Sequence, residues 1–223
     1  MKTKLLLFFA VMLHCTVYCQ LNQQKPQSFR IGVRGALAHS KLYGSKNYRS
    51  YPSGNYYSLD HDKFLVSYSA GIWAGYSVSQ VSIVTEVNLT EKGQQNEFGG
   101  MINSESYYMT LRPRLKYICM PIMLQYNCKN FNRLGLYGGL EFAWLISAKQ
   151  EITGNFEAGT TDIKSDFQER DLGIVAGLNF LLLKGTMIDI RFVNGLEDIS
   201  PPHESTSVTN RSLQIGFKFF LAK

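Results

Sequence analysis

Seven charged side chains, Arg30, Arg34, Glu86, Glu141, Asp189, Arg191 and Lys218, sit on alternating positions shared with glycine, serine and asparagine. Gathered on one enclosed face, such a set could carry protons or ions, or could form structural ion pairs. Charges held away from water must be paired whatever the function, so physical necessity favours the structural set. Other candidates are thin. Asp60, His61 and Asp62 offer oxygens and a nitrogen to a metal, but one short polar triplet reads as a solvated turn. His39, His61 and His203 fall at strand ends or in long links, and no Ser/His/Asp set has a defensible spacing. Nothing here implies a cofactor, a metal or an enzyme. A barrel enzyme acting on lipid or peptide would need catalytic groups clustered near one rim.

Tyr43, Tyr48, Tyr51, Tyr56 and Tyr57 crowd one segment with Lys41, Lys46 and Arg49. This composition suits a partner-binding surface. Tyrosines beside a membrane also anchor at headgroup depth, so both readings stay open.

The elements that position these residues follow from period-two patterning. In Asp171 to Leu182, Leu172, Ile174, Ala176, Leu178, Phe180 and Leu182 share one parity, and Asp171, Gly173, Val175, Gly177 and Asn179 the other. A helix would spread the apolar set around its circumference, whereas a strand gathers it on one face. The same pattern predicts eight strands near residues 29–40, 65–78, 80–91, 108–126, 133–148, 169–183, 186–197 and 210–222. Short links at Ser79, Asn127 to Asn132 and Lys184-Gly185 alternate with long ones at 41–64, 92–107, 149–168 and 198–209. That asymmetry is the mark of an up-and-down barrel with short periplasmic turns and longer outer loops. Pro121 removes a ladder donor inside the fourth strand and predicts a bulge or bend there.

The face opposite the apolar one includes Gly32, Ser69, Gly71, Gly75, Asn88, Gly135, Tyr137, Gly139 and Gln214 beside the charged residues. As the skin of a soluble lipid-carrying barrel it is too rich in glycine and too poor in Lys and Glu. As the lining of a narrow barrel it leaves room and balances charge. The expected fold is therefore all-β, an eight-stranded antiparallel up-and-down transmembrane β-barrel with its apolar face in lipid. Eight strands leave no sheet edge and enclose a space that side chains fill.

Residues 1–19 read as a signal peptide, with a basic start, an apolar run from Leu5 to Leu13 too short to span a bilayer, and small residues before Gln20. Tyr18 and His14 argue against lipid attachment at Cys19 or Cys15. Residues 20–223 form the barrel domain. Of the formal net charge of +6, Lys2 and Lys4 lie in the leader, and no block of like charge remains to hold nucleic acid. Cys119 and Cys128, nine residues apart along extended chain, give neither a disulfide framework nor a metal motif. The expected address is the outer membrane, the expected partners are its lipid and a protein at the outer loops, and the expected state is a monomer.

The segments Glu86–Gly93, Leu115–Asn127, Gly135–Gln150 and Asp171–Ile199 resemble, in order and spacing, the outer-membrane β-barrel family of Bacteroidetes, whose members include porin-family and PorT-like proteins. Asn179, where a glycine is common, and the ending Leu221-Ala222-Lys223, in place of a terminal aromatic, depart from its pattern. The resemblance implies an outer-membrane barrel. Its PorT-like branch implies a part in the type IX secretion machinery.

Overall fold

The computed structural model describes residues 28–44, 61–102, 105–128, 133–155, 158–200 and 207–222. Nine strands appear among them: β1 (Ser28–Tyr43), β2 (His61–Val78), β3 (Val81–Ile102), β4 (Glu105–Asn127), β5 (Leu134–Gly154), β6 (Gly159–Asp162), β7 (Arg170–Leu183), β8 (Thr186–Gly195) and β9 (Thr209–Ala222). Eight of them close a ring. Each pairs antiparallel with its sequence neighbour, β5 pairs with β7, and β1 pairs with β9. The short β6 lies outside the ring, hydrogen-bonded to the far end of β5.

Closure follows from the alternation. On β9, Leu213, Ile215, Phe217, Phe219 and Leu221 are exposed, whereas Ser212, Gln214 and Lys218 are buried. The same inversion of ordinary burial runs round the ring: Ile72, Ile83, Val87, Ile118, Ile122, Leu140, Phe142, Trp144 and Phe192 face outward. Such an outside suits lipid and would not suit water. None of the described helices is long and apolar enough to cross a membrane.

The interior is crowded enough that glycine is required at particular points. Gly32 lies directly across from Trp73, where a Cβ would fall 2.6 Å from the indole nitrogen. Gly177 faces Tyr137, where a Cβ would fall 2.5 Å from the phenol oxygen. Both rings lie inward over their glycines and fill the lumen. The tight turn between β2 and β3 places Ser79 at φ 59°, the one non-glycine residue with positive φ among those described.

Several boundaries differ from expectation. The link expected at 92–107 is strand: Asn96 pairs with Leu111, Phe98 with Met109 and Gly100 with Tyr107. The link expected at 149–168 begins as strand to Gly154 and turns back through β6. β1 runs on to Tyr43 and β2 starts at His61, so His61 and Asp62 belong to a ladder opposite Glu97 and Asn96, and not to a solvated turn. Asp60 lies outside the described residues. β8 ends at Gly195, so the last outer segment starts earlier than expected. Outside lipid the outward face is free to be polar, and the apolar repeat that marks strand disappears although the ladder continues.

Pro121 makes no bulge. Thr85 opposite Ile122 and Asn88 opposite Cys119 keep one register across it. The irregularity in β4 lies instead between Lys116 and Tyr117 on the β5 side. A proline removes one donor, and the ladder tolerates that loss without shifting.

Candidate functional site

The lumen brings five of the seven predicted charges into one network. Arg191 is bidentate on Glu86, its Nη1 and Nη2 donating to Oε2 and Oε1 at 2.9 and 2.8 Å. Lys218 Nζ lies 2.8 Å from Glu86 Oε1 and 3.4 Å from Asp189 Oδ1. Arg34 donates through Nε to Asp189 Oδ2 at 2.9 Å, through Nη1 to Ser69 at 3.1 Å and through Nη2 to Gln214 at 2.9 Å. The Tyr137 hydroxyl donates to Asp189 Oδ1 at 2.7 Å, and the Asn88 amide donates to Glu86 at 2.8 Å. Arg34, Glu86, Asp189, Arg191 and Lys218 are all almost wholly buried.

Residues 34, 86, 189, 191 and 218 come from β1, β3, β8 and β9, so the ring must close before the network exists. Three cations then meet two carboxylates. With all five side chains buried, this is tolerable only because every charge has short, oriented partners.

Glu141 stands apart, nearer the outer end. It accepts from Lys92 Nζ at 3.0 Å, and Asp171 lies 3.4 Å from the same ammonium. Asn210 donates to Asp171 at 2.8 Å, and Lys92 sits 5.1 Å from the centroid of the Tyr117 ring. This second network pairs one cation with two carboxylates, offsetting the excess of the first. Lys92 and Asp171 were missed in the sequence. Lys92 fell in the segment expected to be a link, whereas Asp171 shows the inward parity of Gly173 and Val175 and was legible. Arg30 joins neither network. It lies at the periplasmic end, its guanidinium 5.7 Å from the Phe220 ring centroid.

Apolar packing brackets the charges. Trp73, Val84, Met123, Val175, Met187 and Val193 cluster with Tyr137 in one part of the lumen. At the outer end, Leu42, Leu115 and Leu145 meet Ile163, Phe167, Ile199 and Val208, which arrive from the segments beyond β5 and β8. Those outer segments thus fold back as a plug. No group of His, Cys, Asp and Glu able to hold a metal occurs among the described residues. Cys119 and Cys128 are free thiols. Of the expected tyrosine surface, Tyr43 is exposed, while Tyr48, Tyr51, Tyr56 and Tyr57 lie outside the described residues.

Asp198 ties the plug together. Its carboxylate accepts from the Ser200 hydroxyl, the Ser200 amide and the Val208 amide. Burial alone would push this carboxyl up, but the hydrogen bonds outweigh it and hold the pKa below the ordinary value. A depressed folded pKa gives stability that is present above the unfolded carboxyl value and lost as pH falls through the folded one. Amide exchange at Ser200 and Val208 is therefore expected to quicken relative to the barrel strands as pH drops below about 4. Unchanged relative protection at pH 3 would contradict this role.

The sequence matches the family model described as outer membrane protein beta-barrel domain over residues 20–200. The chain belongs to that family. This outer-membrane barrel also has distant structural likenesses. Neisserial surface protein A is 13% identical, with a TM-score of 0.45, 87% of this chain and 99% of that one being covered. Ail of Yersinia pestis, solved with the heparin analogue sucrose octasulfate, gives 13%, 0.46, 87% and 99%. OprG from Pseudomonas aeruginosa gives 11%, 0.36, 91% and 99%. Likeness at this level says nothing about what this barrel binds. No curated protein matches the sequence. Family membership and the lipid-facing exterior together place the barrel in the outer membrane.

Proposed function

We propose that this barrel is non-enzymatic, passes no solute, and works through what it presents outside the membrane, binding a partner or supporting the envelope there. The observation that carries the reading is a lumen crowded with buried side chains. Two buried charge networks and the outer plug occupy the space through which a solute would pass. Eight strands enclose little more than side-chain volume, whereas aqueous pores need about sixteen. The protruding part of β3, β4 and β5 supports the same reading. β3 continues thirteen residues past Leu89 to Ile102, which is on the order of 40 Å of strand beyond that position. There Lys63 meets Glu97 at 2.6 Å, and Arg114 bridges Glu91 and Glu151 at 2.6 and 2.9 Å, giving a polar sheet where a long link was expected.

Proteoliposomes containing the barrel should swell in isotonic sugar no faster than protein-free liposomes. Swelling at the rate of a general porin would end this reading. A second reading rests on the resemblance of the four quoted segments to PorT-like proteins of Bacteroidetes, namely a part in type IX secretion. A gene deletion that leaves type IX cargo export intact would remove it.

A further inference from the structure

The periplasmic end of the barrel carries charge of one sign. Its described part comprises the start of β1, the β2–β3 turn at Ser79, the start of β5, the β7–β8 turn at Lys184-Gly185 and the end of β9. In the sequence, residues 20–30, 78–81, 126–134, 181–186 and 219–223 contain Lys25, Arg30, Lys129, Arg133, Lys184 and Lys223, and no aspartate or glutamate. The outer end differs. Its cations stand among carboxylates, as Lys63 does with Glu97 and Arg114 with Glu91 and Glu151. Arg30, Arg133 and Lys184, by contrast, form no ion pair with any described residue. Arg133 and Lys184 are exposed, and Arg30 is half-buried.

Backbone hydrogen bonds join these three cations into one arc. The Leu181 amide donates to the Arg133 carbonyl at 2.7 Å, which ties the start of β5 to the end of β7. The Phe220 amide donates to the Gly185 carbonyl at 2.9 Å, which brings the Lys184 turn against β9. On the next strand, the Arg30 guanidinium lies 5.7 Å from the centroid of the Phe220 ring. Beside the arc, Phe29, Leu182, Leu183, Phe219 and Leu221 are exposed, Leu183 and Leu221 by 66% and 68%. The lipid-facing band therefore reaches the rim, and the cations stand at the depth of headgroups in the periplasmic leaflet. Like charges gathered without acids repel one another, and an anionic neighbour offsets that repulsion.

The occupant must answer both features. A soluble anion meets the cations but leaves Leu183 and Leu221 uncovered. A zwitterionic headgroup brings its own ammonium and leaves the charge of the arc in place. We propose that Arg30, Arg133 and Lys184 select anionic glycerophospholipids in the periplasmic leaflet, holding their phosphates while the acyl chains cover Phe29, Leu183 and Leu221. Basic groups next to a membrane-spanning segment recognise anionic headgroups in this way, and a guanidinium meets two phosphate oxygens at once. This inference does not depend on a crowded lumen or on any outer protein partner.

The test uses the full folded barrel in non-ionic detergent, titrated with phosphatidylglycerol or phosphatidylcholine of the same chains and followed by native mass spectrometry. Heat-modifiability checks that each variant is folded. Wild type should bind phosphatidylglycerol about tenfold or more tightly, the preference that a few basic groups near a headgroup supply. Arg30→Gln, Arg133→Gln and Lys184→Gln combined should bind the two lipids alike, and Lys184→Gln alone, at an exposed turn, should lose part of the preference. Arg30→Lys with Arg133→Lys keeps the charges and should retain most of it. Lys116→Gln with Lys149→Gln, on the outer parts of β4 and β5, should leave it unchanged. Equal binding of both lipids by wild type would overturn the proposal and leave a soluble acidic protein as the partner of the arc. A preference that survives in the combined variant, or falls as far in the outer one, would overturn it too. Full competition by glycerol 3-phosphate at equal concentration would overturn the assignment to lipid.

Discussion

Glu86→Ala is expected to destabilise the folded barrel by about 3–5 kcal/mol, the cost of removing one partner from a buried ion pair. Arg191 would lose both of its short hydrogen bonds, and Lys218 would lose its nearest carboxylate, leaving Asp189 at 3.4 Å. Three buried cations would then share one carboxylate. Urea-dependent unfolding in bilayers, read by the shift in gel mobility, measures the effect. A companion variant sharpens it. Glu86→Leu together with Arg191→Met should lose less than the two single changes summed, because it removes charge of both signs at once. A loss under about 1 kcal/mol for Glu86→Ala would mean that water fills the lumen and screens the freed charges. The same result would count against a sealed barrel.

The membrane-spanning part of this structure was legible because lipid writes on sequence. Between Leu213 and Leu221 each outward position must be apolar and each inward one must fit a narrow lumen, so period two survives without interruption. Once the strands leave the bilayer that constraint disappears. Gln94, Gln95, Asn96 and Glu97 remain in a continuous ladder, yet no apolar parity reports it, and the segment resembled a link. Lys92 was lost for that reason, and with it the second charge network. Glu86, Asp189, Arg191, Lys218 and Arg34 were found because inward parity marks them. Parity alone does not reveal height along the barrel axis, which is why Glu141 and Arg30 were grouped with charges they do not touch. The bulge near Lys116 illustrates a further limit. No residue type at Lys116 or Tyr117 announces it, whereas Pro121, the visible signal, left the register intact.

The assignment of faces meets its sharpest test at Ile215. This side chain is 55% exposed near the middle of the β9 apolar run, opposite Leu37 on β1 and Ile190 on β8. Ile215→Arg places a cation near the bilayer midplane, where about 2–4 kcal/mol is lost. The neighbouring Gln214 points inward and contacts Arg34, so Gln214→Leu at nearly the same depth should cost less, about 1–3 kcal/mol for one lost hydrogen bond to a charged group. If the exposed side faced water, the ranking would reverse, since an arginine on a wetted surface changes stability little. Unfolding titrations of the two variants in the same lipid separate these outcomes. A penalty that also shrinks when the arginine is moved outward to position 213, nearer the headgroups, follows the depth dependence that only a bilayer imposes on a strand.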